Sequence, residues 1–211
     1  MKVIHLSAEC YPAAKTGGLG DVVGALPKYL QQCGVDASVM VPKYRTSWLQ
    51  KQSFETIYSQ HLQLADEKVS FSVQKVKTTA LGFPLFVVDL PSYFNREGIY
   101  IDSQTSEGYS DEAERFIAFQ RAALRWIDDR SELPDLIHCH DHHTALVPFM
   151  MTQCFRFKRL DPIPTVLTVH SAAYQGQYSY DKQQLLPSFD CHKLGLLDWD
   201  GQFNALAAGL K

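Results

Sequence analysis

The sequence has no long apolar run, and no stretch approaches the roughly 18 residues that a membrane-spanning helix needs. It also has no run of basic residues, and its formal net charge of -3 does not favour nucleic acid or an anionic membrane as a partner. The apolar segment in MKVIHLSAE at the amino terminus is too short for a secretory signal. These absences predict a cytoplasmic protein that binds neither nucleic acid nor membrane.

A disulfide framework is also missing. The five cysteines are an odd number at irregular spacing, and no CxxC motif occurs. This pattern is typical of reduced thiols in a cytoplasmic protein. With 45% hydrophobic and 20% charged residues, a chain of 211 residues can bury a substantial core without metals or disulfides.

The first part of the sequence predicts a βαβ unit. Residues 2–7 are typical of a short buried strand, and residues 35–41 of a second one. Gly34 suits the end of a helix between them, and Pro27 inside the helical pattern predicts a kink or an early end. Four residues of this helix recur at helical spacing: Val22, Leu26, Tyr29 and Leu30. A strand, a helix and a strand in this order predict a parallel sheet.

The remaining sequence predicts more strands and helices around one antiparallel element. Residues 54–62 and 69–77 alternate in polarity and predict an antiparallel hairpin, an excursion from the parallel sheet. Asp111 with Glu114 fits a capping box at the start of a helix. The other predicted elements are strands at 84–90, 135–140 and 164–170, a long loop at 91–110, and helices at 111–129, 144–154 and from 204 onward.

Three unusual segments lie at the carboxyl ends of predicted strands, where open parallel sheets bind their ligands. The first, KTGGLGD from Lys15 to Asp21, opens a helix directly after a strand. Glycines there let backbone N–H groups approach an anion, the helix N-terminus favours negative charge, and Lys15 adds a cation. The pattern fits neither standard phosphate-loop motif. Two interpretations stay open, an anion site and a tight turn with an exposed lysine.

The second segment, HCHDHH at residues 138–143, holds four histidines and one carboxylate. Its spacing resembles the HxHxDH of binuclear zinc hydrolases, but Asp141 stands one place early and His142 takes its position. A strand would also point His138 and His140 to the same side. Metal ligands must converge, and proximity in sequence does not ensure this. The alternatives to a metal site are core histidines at a strand end and polar groups that bind substrate.

The third segment, TVHSAAYQG at residues 168–176, places His170 at a strand end before small residues and Tyr-Gln-Gly. This pattern is typical of a binding loop. A single histidine that is satisfied within a turn is the alternative.

These segments together resemble bacterial glycogen synthases and plant starch synthases. The resemblance covers residues 1–211 and implies two Rossmann-like domains facing a cleft, the GT-B arrangement. This chain would be the N-terminal, acceptor-side domain, an α/β fold with a doubly wound, mostly parallel sheet. The matching motifs, in chain order, are SAECYPAAKTGGLGDVVGALPKYL, YFNREGIY, IHCHDHHTALVP, TVHSAAYQGQYS and DGQFNALAAGLK.

The resemblance implies a retaining glucosyltransferase. Such an enzyme moves glucose from ADP-glucose, or less often UDP-glucose, to the non-reducing end of an α-1,4-glucan, with no metal or other cofactor. The expected partners are the nucleotide-sugar donor, the glucan acceptor and a C-terminal nucleotide-binding domain. We expect that domain to lie beyond Lys211, so the chain alone is expected to be inactive.

The family's motifs also imply roles for ten residues of this sequence. His170 and Asp141 are expected to act at the transferred glucose as catalytic residues. Lys15 is expected to contact the donor phosphates. The full set of expected substrate-binding residues is Lys15, Gly17, Gly18, Asp21, Tyr93, His143, Tyr174 and Gln175.

Three positions depart from the family's usual residues. His142 stands where the family usually has Trp, Ser171 where it has Asn, and Phe94 where Tyr is common. These departures bear on donor preference and rate. Two other functions stay open, a non-catalytic glucan-binding or regulatory module and a metal-dependent hydrolase built on the histidine cluster.

Overall fold

The computed structural model describes residues 1–211, and none of its helices is long and apolar enough to cross a membrane. The strands are β1 Lys2–Leu6, β2 Asp36–Pro42, β3 Phe54–Leu64, β4 Glu67–Val76, β5 Leu85–Asp89, β6 Leu136–His140, β7 Thr165–Thr168, β8 Gln177–Tyr178, β9 Asp198–Trp199 and β10 Gln202–Asn204. The α-helices are α1 Gly18–Gln32, α2 Ser47–Gln50, α3 Pro91–Phe94, α4 Glu112–Asp128, α5 Leu146–Gln153 and α6 Ala205–Leu210. Short 3-10 segments occur at His142–Thr144, Phe155–Leu160, Tyr180–Leu185 and Cys191–Leu196.

Seven strands form one sheet in the order β3-β4-β5-β2-β1-β6-β7. Strands β5, β2, β1, β6 and β7 are parallel neighbours. The chain moves from β1 to β2 and β5 on one side, and later to β6 and β7 on the other. Because crossovers between parallel strands are right-handed, these two directions put the connecting helices on opposite faces. The predicted α/β class with a doubly wound, mostly parallel sheet is confirmed.

The predicted hairpin is also confirmed, and it belongs to the main sheet. Strand β3 pairs antiparallel with β4, which pairs antiparallel with β5, so the hairpin forms one edge of the seven-stranded sheet. A second small antiparallel sheet, in the order β8-β10-β9, was not predicted, because its strands have only two or three residues each. Both sheets contribute to one continuous apolar core, which includes Phe71 and Phe203.

Helix α1 buries a different face from the one that the spacing of large apolar residues indicated. Val22 and Tyr29 are exposed, whereas Leu19, Val23 and Pro27 are buried. The buried residues are four apart and therefore form one stripe along the helix. The pattern in the sequence was misleading because the residues on which it rested, Val22, Leu26, Tyr29 and Leu30, do not lie on that stripe.

Pro27 does not end α1, which continues to Gln32. A proline lacks the N–H that would bond the carbonyl four residues earlier, which is that of Val23. The buried sulfur of Cys10 lies 3.7 Å from this carbonyl and 3.7 Å from that of Tyr11, so its single S–H can donate to either. The predicted early end is wrong, since α1 continues five residues beyond Pro27.

The predicted role of Gly34 at the end of α1 is confirmed. Gly34 has a φ of +82°. Its N–H donates to the carbonyl of Gln31 and the N–H of Val35 donates to that of Leu30, both at 3.0 Å. These two bonds form a Schellman motif, which satisfies carbonyls that the helix itself leaves free.

Helix α4 begins after Asp111 as expected, but the predicted capping box does not form. Both carboxylate oxygens of Asp111 accept from the guanidinium of Arg96, at 2.7 and 2.6 Å. The carboxylate of Glu114 pairs with Lys182. The prediction is wrong because charged donors elsewhere in the chain bind these carboxylates, and charge-assisted bonds are about twice as strong as neutral ones.

Two other predicted elements are shorter than expected. The strand predicted at 164–170 ends at Thr168, so His170 lies in the loop beyond β7. The helix predicted at 144–154 is divided into the 3-10 turn His142–Thr144 and α5. Within the loop predicted at 91–110, the first four residues form the short helix α3.

Replacing Gly34 with alanine is expected to lower the free energy of unfolding by about 1–2 kcal/mol, because an L-residue is strained in the left-handed region. No atom lies within 4 Å of the added Cβ, so the loss would come from the backbone alone. Denaturant unfolding measures the change. Gly195→Ala is the control, since its Cβ also meets no atom within 4 Å and its φ is not positive. Equal stability of the two variants would contradict the strain argument.

Candidate functional site

The loops after β1, β6 and β7 lie side by side, because these strands are adjacent and parallel. The chain passes from β1 to β2 on one side, and β6 lies on the other side of β1. The topological switch point is therefore between β1 and β6, where open α/β sheets bind ligands beyond the carboxyl ends of the strands. The structure thus brings all three segments that the sequence singled out to one edge of the sheet.

The Gly-rich segment leads into α1 with its N-terminus open to solvent. The exposed side chains of Lys15 and Asp21 form an ion pair with 2.7 Å between Nζ and Oδ1. The N–H groups of Gly18 and Leu19 have no acceptor in the chain. A Cβ at Gly17 or Gly18 would meet no atom within 4 Å. Packing within the chain therefore does not require glycine at either position, whereas close approach of another molecule would.

The buried carboxylate of Glu9 holds this segment in place. It accepts hydrogen bonds from the N–H of Thr16 at 2.7 Å, the hydroxyl of Thr16 at 2.8 Å, the N–H of Gly17 at 3.1 Å and the hydroxyl of Tyr100 at 2.7 Å. The N–H of Gly17 is therefore already used, and that of Gly18 is the first one that remains open.

Asp141 ties the loop after β6 to the loop after β7. Its φ of +58° and ψ of -176° lie in a region that residues other than glycine rarely adopt, at a cost of about 1–3 kcal/mol. Its Oδ1 accepts from the N–H of His170 at 2.6 Å and from that of Ser171 at 3.2 Å. The two predicted catalytic residues are therefore in direct contact. The other carboxylate oxygen of Asp141, Oδ2, makes no hydrogen bond within the chain.

Histidines from neighbouring strands form a chain of hydrogen bonds that ends at His170. Nδ1 of His140 lies 3.0 Å from Nε2 of His170, and Nε2 of His140 lies 3.1 Å from Nδ1 of His5. His138 stacks on His140 with 4.2 Å between ring centroids, and its Nε2 lies 2.7 Å from the hydroxyl of Thr168. The prediction that His138 and His140 point to one side of β6 is confirmed.

Burial keeps the inner histidines of this chain neutral. Desolvation, followed by repulsion from neighbouring histidines, lowers the pKa of His5 to about 3 and that of His140 to about 2. The pKa of His138 is also lowered, first by desolvation and then by His170. A neutral imidazole can donate a hydrogen bond from one nitrogen and accept one at the other, so neutral rings can form a continuous chain.

His143 is a buried ring beside the loop that contains Tyr100. It stacks on Tyr100 with 4.9 Å between centroids and meets Phe116 edge-on at 4.5 Å. Desolvation lowers the pKa of His143 well below its ordinary value, and its buried Nδ1 has no partner. His142, the residue that departs from the family's usual Trp, bonds Glu112 at 2.8 Å.

Three groups of side chains bring possible metal-ligand atoms near one another: His5 with His138 and His140, Glu112 with His142 and His143, and Asp190 with Cys191 and His192. In the first group the ring planes of His138 and His140 differ by 18° and those of His5 and His140 by 22°. Nearly parallel, stacked rings do not aim their nitrogens at one point, which metal coordination requires. Both nitrogens of His140 are also hydrogen-bonded already.

Three predicted substrate residues differ in how accessible they are. Tyr93 lies in the core, and its carbonyl accepts from Nε of Arg115 at 3.0 Å. Tyr174 is 71% exposed in the loop after β7. The amide oxygen of Gln175 accepts from Asn204 at 2.8 Å, which ties that loop to the start of α6. The substrate roles of all three stay predictions.

Residues 2–211 match the family described as the starch synthase catalytic domain. The chain belongs to this family. Within the curated proteins, the chain is similar to the glycogen synthase of Flavobacterium johnsoniae, with 43% identity over 211 residues, and to that of Halalkalibacterium halodurans, with 35% identity over 214 residues. Each match covers 100% of this chain but only 43% and 42% of the two relatives. The chain therefore spans less than half the length of these synthases.

A solved starch synthase has the same fold. The catalytic domain of starch synthase IV from Arabidopsis thaliana, bound to ADP and acarbose, is 27% identical and superimposes with a TM-score of 0.84. The match covers 99% of this chain and 42% of that domain. Together with the family match, this confirms the resemblance and the fold that the motifs implied.

Two residues at this edge were not predicted from the sequence, Glu9 and His5. Glu9 is the only acidic residue between β1 and Lys15, in a segment that is otherwise small or apolar, and that isolation is a signal for a buried role. His5 interrupts the apolar part of β1, residues 3–6. Neither signal identifies the partner, because Thr16, Tyr100 and His140 reach these side chains only in the folded chain.

Acidification is expected to destabilise the fold through His5 and His140. Their folded-state pKa values lie below the ordinary value of about 6.5, so the unfolded chain binds protons first as the pH falls. The stability they contribute is present above about pH 6.5 and is lost below it, by up to about 1.4 kcal/mol per pH unit for each histidine.

Denaturant unfolding at about pH 7, 6 and 5 measures this loss. His140→Phe should make stability less dependent on pH, whereas His61→Gln, at an exposed position, should leave the dependence unchanged. The same dependence in His140→Phe and the unmodified protein would contradict the assignment.

Proposed function

We propose that this chain forms the acceptor-side wall of a glycogen or starch synthase. The whole protein would transfer glucose from ADP-glucose to the non-reducing end of an α-1,4-glucan, with retention of anomeric configuration. The observation that carries the proposal is the open N-terminus of α1 beside Lys15, at the switch point of the sheet. The ADP and acarbose bound to the Arabidopsis enzyme support a nucleotide-sugar donor and a glucan acceptor.

The donor diphosphate would bind at the start of α1. The N–H groups of Gly18 and Leu19 are open there, and the positive end of the helix dipole favours an anion. The ion pair between Lys15 and Asp21 is exposed, and exposed pairs contribute at most about 1 kcal/mol. An incoming diphosphate can therefore replace Asp21 as the partner of Lys15.

The glucosyl group would lie towards the loop after β7. Nδ1 of His170 and Oδ2 of Asp141 make no hydrogen bonds within the chain, so both can meet sugar hydroxyls. Oδ1 of Asp141 accepts from the backbone N–H groups of His170 and Ser171, so Asp141 also positions the loop after β7. These open polar groups adjoin the anion site because β6 and β7 follow β1 in the sheet.

The proposal includes the setting of the reaction. The whole protein would act in the cytoplasm without a metal or other cofactor, and would bind neither nucleic acid nor membrane. The part of the protein outside this chain would supply the second wall of the cleft, including nucleoside contacts. Transfer of radiolabelled glucose from ADP-glucose to glycogen by the full-length protein tests the activity directly.

Lys15→Ala in the full-length protein is expected to lower kcat by about 10²–10³-fold, the effect of removing one electrostatic group at a reacting centre. Negative charge grows on the diphosphate as the glycosidic bond breaks, so Lys15 should stabilise the transition state more than the bound donor, and KM should change less. Lys15→Arg should restore part of the rate, because it keeps the charge. Steady-state kinetics beside melting curves measure these effects.

Lys2→Ala is the matched control, since Lys2 also has an exposed carboxylate partner, Glu132, but lies at the opposite end of β1. Its kcat should stay near that of the unmodified protein. If Lys15→Ala keeps kcat within about threefold, a difference under 1 kcal/mol, the anion role is wrong and the segment is a turn with an exposed lysine.

We further expect no stoichiometric metal at the histidine cluster of residues 138–143. The rings stack instead of converging, and both nitrogens of His140 are in hydrogen bonds. Elemental analysis of protein purified without a histidine tag checks this. One zinc per chain would overturn the metal-free proposal and favour the hydrolase alternative.

A further inference from the structure

Both ring nitrogens of His140 form hydrogen bonds with other histidines. Nδ1 faces Nε2 of His170 and Nε2 faces Nδ1 of His5. A neutral imidazole carries one N–H and one lone pair, so His140 can donate at only one of these contacts and must accept at the other. Which nitrogen of His140 carries the proton therefore determines which nitrogen carries it in His170 and in His5.

Only two arrangements satisfy both contacts with neutral rings. In the inward arrangement, Nε2–H of His170 donates to His140, Nε2–H of His140 donates to His5, and His5 carries its proton on Nε2. In the outward arrangement, Nδ1–H of His5 donates to His140, Nδ1–H of His140 donates to His170, and His170 carries its proton on Nδ1.

The buried end of the chain distinguishes the two arrangements. Nε2 of His5 is buried and has no hydrogen-bond partner. The inward arrangement would put an N–H donor at that position with no acceptor, whereas the outward arrangement leaves only a lone pair there. Buried donors without acceptors are the rarer case in proteins, and an unsatisfied buried group costs about 1–3 kcal/mol.

We propose that His140 is a positioning residue that fixes His170 as its Nδ1–H tautomer by donating from Nδ1 to Nε2 of His170. Nδ1 of His170 has no partner in the chain, so this tautomer directs an uncharged N–H donor into the cleft. Asp141 fixes the backbone of His170 by accepting a hydrogen bond from the N–H of His170. The ring and the backbone of His170 are thus held by different residues of one segment.

The identity of what this N–H meets rests on the proposed function, under which it donates to an oxygen of the transferred glucosyl group. The wrong tautomer would present a lone pair to that oxygen instead. The tautomer itself can be measured without any substrate, so a failure of the proposed function and a failure of this proposal give different results.

Long-range ¹H–¹⁵N spectra of the histidine rings in this chain test the tautomer. They are recorded at about pH 8, above the ordinary histidine pKa of about 6.5, and His170 is assigned by the loss of its signals in His170→Gln. We expect the proton of His170 on Nδ1 and that of His140 on Nδ1. A proton on Nε2 of His170 in the unmodified chain would overturn the proposal.

Three phenylalanine variants separate the hydrogen bond from ring packing. His140→Phe removes the donor, so no partner selects a nitrogen of His170 and both tautomers should be populated. His138→Phe, on the same strand and in the same stack, should leave His170 as Nδ1–H, because His138 does not bond to it. His5→Phe should also leave His170 as Nδ1–H. Nε2 of His140 then has no partner, and because a buried N–H without an acceptor is unfavourable there, His140 keeps its proton on Nδ1 and still donates to His170. A mixture of His170 tautomers in His138→Phe would overturn the proposal. A single His170 tautomer in His140→Phe would overturn it as well.

Kinetics of the full-length protein complete the test. His140→Phe should lower kcat between about twofold, if only the tautomer population is halved, and about 10²-fold, if the ring is also misplaced, with a smaller change in KM. His138→Phe should keep kcat near normal. Unchanged kcat in His140→Phe with a mixed tautomer would refute the positioning role. Absence of transfer by the unmodified protein would count against the proposed function alone.

Discussion

The site depends on β1 having parallel partners on both sides. In the register of the sheet, Leu6 at the end of β1 pairs with Met40 of β2 and with Cys139 of β6, so the three strands end within two residues of one another. The crossover from β1 leads to β2, and the chain reaches β6 only after adding β5 and the hairpin. The connections therefore diverge on the two sides of β1 and leave a crevice between β1 and β6, into which the loops of both strands project their polar groups.

Buried carboxylates hold the walls of this crevice. Glu9 takes two N–H groups and two hydroxyls of the neighbouring loops, and Asp141 takes the N–H groups of His170 and Ser171. Loop backbone at a buried edge needs such partners, since strands and helices do not satisfy it. Charge-assisted bonds are strong enough to offset the strained backbone of Asp141. The loops are thereby fixed before any ligand binds.

Local patterns predicted the parallel sheet and its antiparallel hairpin, because parallel pairing follows from short, apolar strands joined by a helix, whereas the doubly wound arrangement was implied by the family resemblance. The end of α1 was also predictable, since Gly34 is needed at a left-handed backbone position. The continuation of α1 past Pro27 and the cap of α4 were not, because each involves residues outside the helix itself, Cys10 beside Val23 and Arg96 beside Asp111. The same limit applies to the site, where the motifs located the loops but not the partners of Glu9 and His5.

A sequence motif indicates which residues belong to the site, but the hydrogen bonds that each polar group already makes within the chain show which role it has. Some polar groups at the crevice are already satisfied by the chain, and these build its walls: Glu9, Oδ1 of Asp141, both nitrogens of His140, and the amide oxygen of Gln175. Others are open to solvent or held only by an exposed partner, as are Lys15, the N–H of Gly18 and Nδ1 of His170. A ligand gains little from a group that must first break an internal bond in a buried site, and more from one that is already free. The open groups are therefore the ones that can contact a substrate, and the satisfied groups determine where the open ones point.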